Sequence, residues 1–128
     1  MGNIYTVIPL SQADKESIHW FEETFDHNIK SLKAKNSHTP NIDELKSLLN
    51  DLTDYKMTIE ESKEFVTIDL ESVKERDLWT QLVYNLRKEG FYFSKGNELL
   101  IFDVMKIISR KYGPFMVMDD GFSFGRII

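Results

Sequence analysis

GFYFSKGNELLIFDVMKIISRKYGPFMVMDDGFSFGRII, residues 90–128, is the stretch whose reading decides the fold class. Phe91, Tyr92 and Phe93 form an aromatic run suited to a strand, and Ser94-Lys95-Gly96-Asn97 has the composition of a turn. From Glu98 to about Lys111, Leu99, Leu100, Phe102, Val104, Met105, Ile107 and Ile108 leave only a narrow polar edge of Asp103, Lys106 and Arg110. That pattern predicts a helix covered on most sides, with Gly113-Pro114 as its stop. Phe115 to Met118 reads as a strand, Asp120-Gly121 as a two-residue turn, and 122–128 as the returning strand of a hairpin.

Upstream, Ile4 to Leu10 is a β-branched run with Pro9 near its end, which suits an edge or strand-terminal position. Ser11, with Asp14 three residues on, opens a helix whose buried stripe is Ile18, Phe21 and Phe25. Residues 26–40 turn polar, with Ile29 and Leu32 as anchors, and are expected to form a mobile connector. Asn41 and Glu44 then make a capping box for a helix with Ile42, Leu45, Leu48, Leu49 and Leu52 on one face. Tyr55, Met57 and Ile59 alternate with polar residues, as do Val66, Ile68 and Leu70, which predicts an antiparallel hairpin with Met57, Ile59, Val66 and Ile68 inside. Ser72 with Glu75 reads as a second capping box, opening a helix with Leu78, Trp79, Leu82, Val83 and Leu86 inward and Gly90 as its terminator.

The expected architecture is α+β, with one mixed, largely antiparallel sheet and about four helices packed mainly on one face. A chain of 128 residues with 41% hydrophobic content makes one domain, 1–128, with a core of its own. No internal repeat interrupts it. The absence of cysteine excludes disulfides, thiolate metal sites and thiol catalysis. No apolar run is long enough to span a bilayer, and the N-terminus lacks a basic region and cleavage site, so the expected location is cytoplasmic.

The net charge of −5 is concentrated in the middle of the chain, where residues 51–77 carry nine Asp and Glu against four Lys and Arg. Such a surface repels phosphate backbones, which argues against nucleic acid, and attracts a basic protein. Asp51 and Asp54 before the hairpin, with Glu60, Glu61 and Glu64 at its tip, form the candidate partner-binding knob. The competing reading of these acids is a charged loop that discourages edge pairing.

The residues of chemistry are few. His19, His27 and His38 lack the i, i+4 spacing of a helical zinc pair, and no phosphate-binding loop, nucleophile elbow or dinucleotide fingerprint is present, so no cofactor and no metal are expected. Asp119-Asp120-Gly121 reads as a turn before it reads as a cation site. In outline, a small, acidic, cysteine-free α+β chain is similar to the immunity proteins that neutralise bacterial toxins, a resemblance of type that no motif carries. The expectation is therefore a small acidic protein-binding module, in its most concrete form an immunity or inhibitor protein for a basic partner. The alternatives are a small hydrolase or isomerase built from scattered residues such as His19, Glu22 and Asp120, or a structural interaction domain.

Overall fold

Among the described residues seven strands, all paired antiparallel, form one sheet, and their order is set by where the first strand is inserted. The computed structural model describes residues 4–29, 36–75 and 77–128. The elements are β1 (Tyr5–Pro9), α1 (Lys15–Phe25), α2 (Ile42–Asn50), β2 (Tyr55–Glu61), β3 (Phe65–Ser72), β4 (Trp79–Asn85), β5 (Gly90–Gly96), α3 (Glu98–Tyr112), β6 (Phe115–Asp119) and β7 (Gly125–Ile127). The sheet runs β2-β3-β4-β5-β1-β6-β7. Strands β2 to β5 form a meander, and β1 lies between β5 and β6. Because β5 and β6 both run antiparallel to β1, they are parallel to each other, and the chain needs a crossover to get from one to the other. Helix α3 supplies it.

The α+β class, the β2–β3 hairpin and α2 follow the sequence reading. Met57 lies opposite Leu70 and Ile59 opposite Ile68. Asn41 and Glu44 exchange both bonds of the capping box, at 2.8 and 3.1 Å. Several expectations need correction. The sheet is antiparallel throughout rather than mixed, and the described residues form three α-helices rather than about four. Residues 79–85, read as helical, are β4, with Thr80, Leu82 and Tyr84 turned to the core side and Val83, on the other face, buried as well. The Ser72 hydroxyl does accept the Glu75 N–H at 3.0 Å, but only as a local turn, because the residues beyond find seven partners in β3 and six in β5. Gly90 accordingly opens β5 instead of ending a helix, and β5 runs on through the expected turn to Gly96.

Ser11 sits in a 3₁₀ turn over Leu10–Gln12, and it is Asp14 that caps α1, accepting the Ser17 N–H at 2.7 Å. β1 is an interior strand that meets the terminal position allowed for Pro9. The last strand is only Gly125–Ile127, since residues 120–124 form a wider loop than the expected two-residue turn. Within the polar connector Ile29 is buried and tied to Glu22 by a 2.9 Å bond, and the Ser11 N–H donates to Ser37 Oγ at 2.9 Å. Leu32 and the rest of 30–35 lie outside the described residues.

The helices divide between two faces. Leu45 and Leu49 of α2 and Leu100, Ile101, Val104, Met105 and Ile108 of α3 join Val66, Ile68, Leu70, Leu82, Phe93 and Phe115 in one core. Helix α1 packs on the opposite face, where Phe21 meets Met116, Ile8, Met118 and Ile127 at the β1-β6-β7 end. Helix α3 is buried along one stripe rather than most sides, for Leu99 is 68% exposed. Glycine is required at Gly96, where φ is +130° and an added Cβ would fall 2.5 Å from the Thr80 Cα.

Two of the three buried tyrosines of the core, Tyr5 and Tyr84, tie it to neighbouring segments. Tyr84 donates to the Pro40 carbonyl at 2.7 Å, and Tyr5 to Glu98 at 3.2 Å. Burial, followed by the charge of Glu98, pushes the Tyr5 hydroxyl up to about 12, and burial pushes Tyr84 up to about 12. An acid held protonated in the fold contributes stability fully below its unfolded pKa near 10, and that contribution is lost as pH rises through 12. The protein should therefore unfold cooperatively in alkali, with Tyr5 and Tyr84 ionising together with the loss of ellipticity; early ionisation of all tyrosines in the native protein would contradict their burial. Ile108→Ala should cost about 2–5 kcal/mol in a urea titration, and Ile107→Ala, at a half-buried position, closer to about 1 kcal/mol. Equal losses would mean the stripe is misplaced.

Candidate protein-binding surface

Helix α1 covers only the β1-β6-β7 end of its face, so the same face of β2-β3-β4-β5 carries no helix among the described residues. The alternation of side chains fixes what lies there. Since Leu82, Tyr84, Phe91 and Phe93 point into the core, Trp79, Gln81, Val83, Asn85, Tyr92 and Ser94 occupy the open side. Strand β3 adds Phe65, Thr67, Asp69 and Glu71, and β2 adds Lys56, Thr58 and Glu60. Phe65, Trp79, Val83 and Tyr92 belong to neither core cluster.

Cross-strand contacts hold this surface in register. The Gln81 amide donates to Asp69 Oδ1 at 2.9 Å, and Ser94 Oγ donates to Gln81 Oε1 at 2.6 Å, making a polar ladder over β3, β4 and β5. The β4–β5 pairing shifts register between Gln81 and Leu82, which sets Ser94 within reach of Gln81. Toward β1, Ile4, Thr6, Tyr92, Asn85, Lys88 and Gly90 line a shallow groove of about 430 Å³.

The acids named from the sequence do not form one knob. Asp51 caps the C-terminus of α2 and Asp54 precedes β2, while Glu60, Glu61 and Glu64 lie at its far end. Seven residues of strand at about 3.3 Å per residue put roughly 20 Å between the two groups. All five are exposed, but Glu61 is paired with Lys46 and Asp54 with Lys74 at 3.5 Å. Glu60 shares the open face with Asp69 and Glu71, two acids that sequence reasoning passed over because strand alternation alone does not mark a face as uncovered. The field at the start of β2 is negative. Tyr55 is pushed up first by burial and then by the charges of Asp103, Asp54 and Glu75.

The residues weighed for catalysis stay apart. His19 and Glu22 line a depression of about 390 Å³ on α1, and Asp120 is not among its lining residues. His19 pairs with Glu23 at 3.1 Å on the exposed side of the helix, and Glu22 is taken up by the Ile29 N–H. His27 Nε2 donates to the Gly125 carbonyl at 3.0 Å and stacks on Phe21, while His38 lies edge-on to Tyr112. Asp119 is buried and clamps its loop, accepting the Phe124 N–H at 2.9 Å and the Ser123 hydroxyl. Among the described residues no group of three or more His, Asp and Glu is arranged to hold a metal ion, and no helix is long and apolar enough to cross a membrane.

No protein-family model matches the chain, and comparison with curated proteins and with solved structures finds no match.

The ladder should be the part of this surface that matters for stability. Gln81→Leu deprives the partly buried Asp69 and Ser94 of their common partner and should cost about 1–2 kcal/mol in thermal melts, whereas Glu64→Gln at the exposed hairpin tip should change stability by less than about 0.5 kcal/mol. Comparable losses from the two would remove the ladder's role.

Proposed function

We propose that this chain is a protein-binding module that receives a basic protein on the uncovered face of β2–β5, with an immunity or inhibitor role as its concrete form. One observation carries the reading. Phe65, Trp79 and Tyr92 lie partly exposed outside both core clusters on a four-stranded surface that also bears Glu60, Asp69 and Glu71. Aromatic side chains on a rigid sheet supply contact area at low entropic cost, and carboxylates among them favour a cationic partner over a neutral one. The acids at either end of β2, Asp51 and Asp54 on one side and Glu61 and Glu64 on the other, extend the same sign of charge along the rim, which favours steering of a basic partner over a single point of attachment. The scattered histidines, each engaged in its own local contact, support the binding reading over a hydrolase or isomerase.

The test screens the proteins encoded on either side of this gene for a basic partner and follows its association kinetics, with an unrelated basic protein as the control for charge alone. Reversing Asp54, Glu64 and Glu71 to lysine should slow association about tenfold at low salt and flatten its salt dependence. The melting temperature should hardly move, because exposed ion pairs contribute little to stability. Trp79→Ala should speed dissociation without altering the salt dependence. An unchanged rate in the triple variant would remove this face as the docking surface, and the absence of any encoded neighbour that binds more tightly than the control would remove the function.

A further inference from the structure

Strand β2 ends the sheet with a free edge as long as the strand itself. It is paired with β3 over all seven residues without a bulge, it contains no proline, and among the described residues no other segment bonds to its outer side. The direction of its backbone groups follows from the bonds that flank it. Ser62 N–H donates to the Phe65 carbonyl at 2.8 Å, and Val73 N–H donates to the Asp54 carbonyl at 3.0 Å, so the even-numbered residues turn toward β3. Tyr55, Met57, Ile59 and Glu61 therefore aim their N–H and C=O groups outward. Edges of this kind recruit further strands unless they are blocked.

We propose that the strand recruited is β2 of a second copy of this chain, paired antiparallel about a two-fold axis through Thr58. Outward-bonding residues can exchange hydrogen bonds only with outward-bonding residues, which confines the axis to a residue position. An axis at Met57 sets Glu60 against Asp54 of the second copy, two like charges, and an axis at Ile59 leaves Lys56 opposite Ser62. The axis at Thr58 pairs all seven residues, with Tyr55 facing Glu61 at either end and complementary pairs between. Lys56 then faces Glu60 twice on the open side, and Met57 faces Ile59 twice on the helix side, where each is only half-buried in the single chain. Opposite charges directly across an antiparallel pair are stabilising and like charges destabilising, so the sequence Tyr55-Lys56-Met57-Thr58-Ile59-Glu60-Glu61 is complementary to its own reverse. The contact is isologous and closes at two copies. It does not depend on the binding function above, and it joins the two uncovered faces into one.

Sedimentation equilibrium on the full chain reads the result directly, against 15.1 kDa for one copy. The wild type should sediment at twice that mass at roughly 100 μM, in the range of a modest interface. Lys56→Glu and Glu60→Lys should each weaken association at least about tenfold, because two attractions per dimer become two repulsions. The double variant K56E/E60K restores opposite charges and should recover wild-type affinity to within about threefold. Ile59→Pro removes an outward N–H, a position where an edge strand tolerates proline, and should yield a monomer whose circular dichroism is unchanged. A monomeric wild type, a double variant no tighter than the singles, or a dimer that survives Ile59→Pro in folded form would each overturn the proposal.

Discussion

The insertion of β1 between β5 and β6 is the joint on which the structure depends. Without it, the meander β2–β5 and the pair β6–β7 are separate ribbons, and α3 has nothing to cross. The two sides of the joint are unequal: β1 pairs with β6 over five residues and with β5 over only two. The gap is made good by side chains. Tyr5 reaches Glu98 at the start of α3 and lies 5.7 Å from the Phe124 ring, so one buried residue ties the first strand to the crossover helix and to the last loop. Leu10 N–H adds a bond to the Pro114 carbonyl at 3.0 Å at the other end.

A sheet of seven strands presents two broad faces, and the three α-helices among the described residues do not cover both. Helices α2 and α3 close one face, while α1, eleven residues long, closes only part of the other. The remainder is finished with mixed polar and aromatic residues and a hydrogen-bonded ladder in place of an apolar layer, which lets it face water without loss of register. The exposed edge and the exposed face thus have one origin, too little helix for the sheet.

How much of this was legible follows the strength of local signals. Asn41 and Glu44 announce α2 because both halves of the cap are written within four residues, and the β2–β3 hairpin is visible because alternation runs unbroken on both sides of its turn. Residues 78–86 satisfy two periods at once: Leu78, Leu82 and Leu86 repeat as a helix would, and Thr80, Leu82 and Tyr84 as a strand would. The choice fell to neighbours in β3 and β5 that lie outside any local window, though Trp79, Thr80, Val83 and Tyr84 favoured a strand by propensity. The side of the sheet taken by α1, and hence the location of the open face, is a matter of packing that amphipathic spacing leaves undetermined. The five acids looked like one cluster because nearness along the chain hides the length of an extended strand.

The place of β1 also bears on how the chain reaches its fold. Synthesis reaches β1 long before any of its partners, which are Tyr92 and Phe93 on one side and residues 115–119 on the other. The meander β2–β5 has its pairings close in sequence and needs no part of β6 or β7. The first strand enters between two ribbons by closing loops of 86 and 88 residues to β5 and of 106 to 114 residues to β6, the kind of long-range contact that slows folding. Contact order accordingly favours assembly from the middle of the chain outward, with β1 as the interior strand whose pairing costs the most loop closure.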